Sequence, residues 1–300
     1  MKDIPVVWLQ GAGCTGCSVS LMNAQYPRIR NLLLDEVVPG VHISLKFHPT
    51  IMGGSGEIAL EVLKAEKLGR DYLLVVEGSI PEGNNGIYCV VGEEKDRPVT
   101  LRERFLSLAS RSLGIIALGD CAAFGGIPSA EPNPTGASSV EEVLRKENLS
   151  IPYLNVPGCP PHPDWFLTPV VRIILGGWPS AEELDELHRL KSLHGKTIHE
   201  NCPRRPYFEE GKFAQNFNEE GCLYILGCKG PFTYSDCPLR KWNSGVNWVI
   251  GAGSPCLACT EPEFPELSTP FYEKFDWEKV KIKIRGGKIE ENPDRSGNPD

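Results

Sequence analysis

Across residues 1–175, short continuous apolar runs alternate with stretches in which apolar side chains recur every three or four positions. The runs Val6–Gln10, His42–Phe47, Tyr72–Val76, Gly114–Leu118 and Tyr153–Val156 read as buried strands. Helical periodicity fills the intervals: Ser18 to Val38 with a break near Pro27, then Glu57–Leu68, Leu101–Leu113 and Asp164–Leu175. Thr100 precedes Leu101-Arg102-Glu103 as an N-cap, with Glu103 at the capping-box position. Five strands joined by helical crossovers predict an α/β fold with a doubly wound, flavodoxin-like parallel sheet. Ala181–Leu193 reads as one further helix, with Leu184, Leu187 and Leu190 in step. From Asn201 to Pro265 the periodicity fades into Gly, Pro, Asn and aromatics, and so long an unstructured stretch needs something other than its own elements to organise it. The expected division is 1–178 for the sheet domain, 179–271 for a smaller irregular domain and 272–300 for an extended, partly disordered tail, in which Val280–Ile284 alternates like a strand.

Composition narrows the function. The net charge of −8 lacks the basic footprint of a nucleic-acid binder. Eleven cysteines in 300 residues are too few for a disulfide scaffold, and an odd count prevents complete internal pairing, so reduced thiolates are expected. No run approaches the ~18 apolar residues of a membrane span. The start, Met1-Lys2-Asp3-Ile4-Pro5, has no signal-peptide pattern and the Arg204-Arg205 pair is internal. The expected compartment is the cytoplasm, or the periplasm or membrane surface if a leader was removed.

The cysteines then supply the organising principle. Cys14 and Cys17 form a Cys-x-x-Cys after the first strand, and Cys121 and Cys159 follow two later strands. His199 and Cys202 are followed by Cys222 and Cys228, and Cys237 by Cys256-Leu257-Ala258-Cys259. Soft thiolates in such sets select zinc, copper(I) or iron–sulfur centres. Three sets in one chain point to a relay. Cys89, in apolar surroundings, reads as a small buried hydrophobe.

Gly11-Ala12-Gly13-Cys14-Thr15-Gly16 also matches the dinucleotide fingerprint G-x-G-x-x-G between a strand and a helix. The second strand ends Lys46-Phe47-His48-Pro49, without the carboxylate that would hold a ribose, and two cysteines project where a pyrophosphate would lie. A helix N-terminus also suits the negative charge of a thiolate-ligated cluster. Nucleotide binding and buried structural cysteines remain the alternatives. Glu77 could line the site, pass protons or be structural.

For His199, Cys202, Cys222 and Cys228 a structural Cys3His zinc remains open. Cys237, Cys256 and Cys259 offer three thiolates, as a [3Fe–4S] cluster needs, with Asp236 as a weak fourth candidate for a cubane. Arg204, Arg205, Lys229, Arg240 and Lys241 are candidate donors to cluster sulfurs, with ordinary solvated side chains as the alternative.

Taken together, Gly13-Cys14-Thr15-Gly16-Cys17-Ser18, Gly119-Asp120-Cys121-Ala122-Ala123-Phe124-Gly125-Gly126, Val156-Pro157-Gly158-Cys159-Pro160-Pro161, His199-Glu200-Asn201-Cys202-Pro203-Arg204-Arg205, Gly227-Cys228-Lys229-Gly230-Pro231 and Pro255-Cys256-Leu257-Ala258-Cys259 resemble the small, electron-transferring subunit of a nickel–iron hydrogenase. The resemblance spans about Val6 to Pro265. It implies a flavodoxin-like domain whose Cys14, Cys17, Cys121 and Cys159 hold a proximal [4Fe–4S] cluster. It implies an irregular iron–sulfur domain whose Cys237, Cys256 and Cys259 hold a medial [3Fe–4S] cluster. A distal [4Fe–4S] cluster would then take His199, Cys202, Cys222 and Cys228. The Ni–Fe centre would belong to a large partner subunit, in a heterodimer or a dimer of heterodimers. That site would split H2 reversibly into two protons and two electrons, which this chain would exchange with an acceptor protein or quinone-linked partner. No catalytic residue of its own is expected. Oxygen-tolerant members carry extra cysteines at the positions of Gly16 and Gly126, so an ordinary four-thiolate proximal site is implied. Val249 stands where many members have proline, and valine cannot ligate. A hydrogen-sensing regulatory subunit and a quinone-reducing respiratory subunit are the neighbouring readings.

Overall fold

The computed structural model describes residues 2–25, 27–28, 30–31, 35–38, 40–69, 71–266, 268–269, 271–272, 283–285 and 288–290. Its central sheet comprises β1 (Lys2–Gln10), β2 (Glu36–Val38), β3 (Val41–Phe47), β4 (Leu73–Glu77), β5 (Gly114–Leu118) and β6 (Tyr153–Val156), in the spatial order β6-β5-β4-β1-β3-β2. All neighbours are parallel except β2 on β3. Counting the parallel strands alone, this is the flavodoxin-like order, and it reverses direction between β1 and β4. Every residue of β4 and β5 is buried, as expected of strands covered on both faces. Leu9, Leu74, Ile115, Leu101 and Phe105 share one core cluster.

Most helices are shorter than their periodicity predicts, while the expected Asp164–Leu175 extends by one residue at each end. They include α1 (Gly16–Leu21), α2 (Gly56–Val62), α3 (Ala65–Leu68), α4 (Leu101–Ala109), α5 (Asp120–Phe124) and α6 (Pro163–Gly176). Thr100 caps α4 by accepting the Glu103 N–H at 3.2 Å. The Glu103 carboxylate pairs with Arg97 instead of closing the box.

Two expected helices are corrected. The pattern from Ser18 to Val38 yields helix to Leu21 and again at residues 30–31 beyond the break near Pro27; residues 26, 29 and 32–34 lie outside the described set, and Glu36–Val38 is a strand where helix was expected. Gly40, at φ 82°, turns the chain so that Val38 pairs with Val41 and Glu36 with His42. Of the expected Ala181–Leu193 helix, residues 181–190 are looped, with Leu184 bridging Leu190, and helix begins only at Lys191–His194. The cause of the loop is Asp185, whose carboxylate accepts the backbone N–H of Leu187 at 3.0 Å and of Arg189 at 2.8 Å, a local turn that outcompetes helix.

By compactness the chain forms two units: Met1–Gly195 with Cys259–Glu266, and Lys196–Ala258 with Leu267–Asp300. Residues 179–195, expected with the second domain, group with the first. The reason is attachment to β6: the Asn155 N–H and side-chain amide donate to the His188 and Leu187 carbonyls, and His188 stacks on Tyr153 with ring centroids 4.3 Å apart. Within the expected tail, Lys283–Arg285 pairs antiparallel with Lys288–Glu290; residues 273–282 lie outside the described set.

Candidate metal centres

The first unit brings four cysteines to the carboxyl ends of its parallel strands. Cys14 and Cys17 follow β1, Cys121 lies in α5 after β5, and Cys159 follows β6. This is where open α/β sheets bind ligands. The loops are laced together by backbone: Gly119 N–H donates to the Val156 carbonyl at 2.9 Å and Asp120 N–H to the Gly158 carbonyl at 3.0 Å. Ser20 of α1 donates its hydroxyl to the Pro161 carbonyl at 2.7 Å. The four thiols share one electrostatic neighbourhood. Burial drives Cys17 upward, and Glu77, Cys121, Cys14 and Cys159 add to it. Burial and then Asp120 push Cys121 up to about 12 and Cys159 up to about 11.

The glycines of the fingerprint serve packing. A Cβ on Gly11 would sit 2.2 Å from the Ser79 carbonyl oxygen, and one on Gly78 would sit 2.8 Å from that of Ala12. They allow the two loops to exchange backbone hydrogen bonds between Ala12 and Ser79, both 2.9 Å. The Ser18 N–H at the start of α1 already donates to the Glu77 carboxylate at 3.0 Å, so a pyrophosphate there would face a buried negative charge. The geometry therefore disfavours the nucleotide reading.

Space around the thiols is reserved. A Cβ on Gly119, at φ 86°, would lie 2.4 Å from Cys17 Sγ, and one on Gly16 would lie 3.0 Å from Cys14 Sγ. Gly119→Ala is expected to displace Cys17 and to cost about 1–3 kcal/mol in backbone strain. Iron analysis of the purified protein checks it: retention of the full wild-type iron content contradicts the prediction. A side chain on Gly126, at φ 53°, would crowd the Cys121 backbone at 3.0 Å, so a fifth cysteine there would be strained.

In the second unit, His199, Cys202, Cys222 and Cys228 line one cavity. Phe208 sets the imidazole by an edge contact, ring centroids 4.8 Å apart. Burial, then Arg205, pulls His199 below its ordinary value. Burial pushes Cys222 up to about 11 and Cys228 up to about 12, yet backbone N–H groups oppose it. The donors recur two residues downstream: Arg204 on Cys202, Tyr224 on Cys222, Gly230 on Cys228 and Ala258 on Cys256. Such N–H···S contacts favour thiolate over thiol and suit sulfur held as a metal ligand. Among the described residues no three His, Cys, Asp or Glu converge as donors to one metal ion.

Cys237 and Cys256 of the third set are neighbours in the second unit, both buried. Cys259 begins the segment that groups with the first unit. Cys237 Sγ accepts the Ser235 hydroxyl at 3.1 Å and also the Trp242 side chain. Ser235 is 1% exposed and had no signature in the sequence beyond lying two residues before a cysteine. Asp236, the fourth-ligand candidate, is paired with Arg240 at 2.7 Å. Four of the five candidate cationic donors, Arg240 among them, are committed elsewhere. Arg204 donates to the carbonyls of Glu219 and Gly221, Arg205 to Glu209, and Lys229 to the carbonyls of Gly227 and Phe271. No disulfide forms, and Cys89 packs partly buried against the sheet core.

Residues 194–272 match the C-terminal family of the NiFe/NiFeSe hydrogenase small subunit, and residues 14–173 match NADH ubiquinone oxidoreductase, 20 Kd subunit. The periplasmic [NiFeSe] hydrogenase small subunit of Desulfomicrobium baculatum is 45% identical over 286 residues, covering 90% of this chain and 87% of that one. The periplasmic [NiFe] hydrogenase small subunit of Solidesulfovibrio fructosivorans is 42% identical, covering 90% and 81%. A solved structure of the Desulfomicrobium baculatum [NiFeSe]-hydrogenase superposes with a TM-score of 0.84 at 44% identity, covering 92% of this chain and all of that one. With both cysteine-bearing units matched, the chain belongs to the small-subunit family of nickel–iron hydrogenases.

Proposed function

We propose that this subunit relays electrons through three iron–sulfur clusters between the Ni–Fe site of its large partner and an external acceptor. Cys14, Cys17, Cys121 and Cys159 would hold a proximal [4Fe–4S] cluster. Cys237, Cys256 and Cys259 would hold a medial [3Fe–4S] cluster, and His199, Cys202, Cys222 and Cys228 a distal [4Fe–4S] cluster. Such clusters, when bound, supply one-electron carriers whose potentials the protein tunes. The observation that carries the reading is the grouping of unpaired thiols, with backbone N–H groups already aimed at several of them. The second and third sets also meet directly: the Cys256 N–H donates to Cys228 Sγ at 3.4 Å, and Lys229 N–H returns to the Cys256 carbonyl at 3.0 Å. A continuous backbone link of this kind supports electron passage between those two sites.

Among the described residues no helix is long and apolar enough to cross a membrane. The acceptor, protein or quinone-linked, belongs to this proposal, as does the cytoplasmic compartment, which stands beside relatives named periplasmic. Fractionation of the native host decides the compartment.

The test is metal analysis with low-temperature EPR on the heterodimer. About eleven irons per chain and a three-iron signal are expected. Cys256→Ala should abolish that signal and leave the proximal cluster, and its persistence would show the medial assignment to be wrong.

A further inference from the structure

Glu77, at the end of β4, is 3% exposed and none of the ligand sets uses it. Its Oε2 accepts the Trp8 indole N–H at 2.9 Å, the Gln10 amide at 3.0 Å and the Ser18 hydroxyl at 2.5 Å. Its Oε1 accepts the Ser18 backbone N–H at 3.0 Å. Four donors and no acceptor are the pattern of an ionised carboxylate.

None of the four partners carries charge. The group behind them is also neutral: His48 Nδ1 accepts the Thr50 N–H at 3.3 Å, which puts the ring proton on Nε2, facing the Ser18 hydroxyl at 3.2 Å. Burial holds His48 below its ordinary value in the same sense. Dipoles stabilise a carboxylate without cancelling its field, and low surrounding polarity lets that field reach further. The field reaches Cys17, the residue just before Ser18; after burial itself, Glu77 is the largest influence on that thiol, ahead of the other three cysteines.

We propose that Glu77 is a fixed negative charge that lowers the reduction potential of the cluster bound by Cys14, Cys17, Cys121 and Cys159. This rests on the ligand assignment proposed above. Each electron arriving from hydrogen oxidation adds one negative charge to that cluster, next to a charge already present. The reduced form would thereby be disfavoured relative to the same cluster without the Glu77 charge. Glu77 acts through its field on the ligands and is a positioning residue of the relay.

The experiment is an EPR-monitored redox titration of the intact heterodimer, with iron content measured on the same samples. For Glu77→Gln, the ratio of reduced to oxidised proximal cluster at a fixed potential should rise at least tenfold, an upward shift of about 59 mV for one electron. The other two centres should keep their midpoints. Glu77→Asp retains the charge and should stay within twofold of wild type. A full-iron Glu77→Gln protein with an unmoved midpoint overturns the proposal, as does an Asp variant that shifts as far as the Gln variant. If Glu77→Gln does not assemble, Gln10→Leu removes one neutral donor and unscreens the carboxylate, so the midpoint should fall; no change or a rise overturns the proposal. Failure of the ligand assignment looks different, since Cys17→Ala would then lose no iron and no proximal signal.

Discussion

Withholding iron is expected to unfold residues 196–258 while the sheet of the first unit stays intact. The second unit has a small described core, in which Phe208, Cys222 and Tyr224 form the buried cluster. Cys222, Cys228, Cys237 and Cys256 are themselves among its buried side chains. Its regular elements are single turns such as His199–Asn201, Tyr224–Leu226 and Cys237–Arg240. Ordering a backbone costs roughly 1–2 kcal/mol per residue, which such elements cannot offset alone. Structural zinc sites contribute roughly 10–16 kcal/mol to folding, and the clusters proposed above would take that role here. Hydrogen exchange on chain expressed without iron gives the readout. Amides of β1, β4 and β5 should stay protected, while those of Leu226, Cys228 and Lys241 exchange at rates near those of an unfolded chain. Equal protection across both units would contradict this account.

The sequence disclosed these two units unequally, for physical reasons. Gly114–Leu118 and Tyr153–Val156 are legible to the residue, because a strand covered on both faces must be a continuous apolar run. Val37 and Val38 were read into a helix, although β-branched residues next to a glycine turn suit the hairpin they form. The segment 181–193 has helical spacing of leucines, but spacing does not register that Asp185 captures the backbone. The second unit has almost no periodicity, so only cysteine spacing identifies its chemistry, and the structure gathers His199, Cys202, Cys222 and Cys228 around one cavity. Groups that modify the thiols were the least legible. Ser235, Trp242 and His48 lie in no motif, and their roles arise from tertiary contacts. Arg204, Arg205, Lys229 and Arg240, candidates by charge to face sulfur, take other partners, and backbone N–H groups fill that role at less cost in conformational entropy.

Arg189→Leu is expected to destabilise the first unit by about 3–5 kcal/mol, the range for breaking a buried ion pair from one side. Arg189 is 3% exposed; it pairs with Asp185 at 2.7 Å, with both oxygens of Glu261 at 3.2 Å, and donates to the Thr260 carbonyl at 2.9 Å. These bonds anchor the start of Cys259–Glu266, the segment in which the chain returns to the first unit. Removing the guanidinium leaves Glu261, 6% exposed, without its cation. Asp120 makes this worse: burial and then the Glu261 charge already push it up to about 8, and neither of its oxygens has a hydrogen-bond partner. The Glu261 and Asp120 carboxyl groups would then face each other without the Arg189 charge, and expelling residues 260–261 toward solvent relieves both. Cys259, adjacent in the chain, would move with them, and the medial set proposed above would lose one of its three thiolates. The variant should therefore lose the three-iron EPR signal at temperatures where the sheet is still folded, and Arg189→Lys, which keeps the charge but not the fork, should fall between. A variant with lowered thermal stability and an intact three-iron signal would separate the ion network from the medial site.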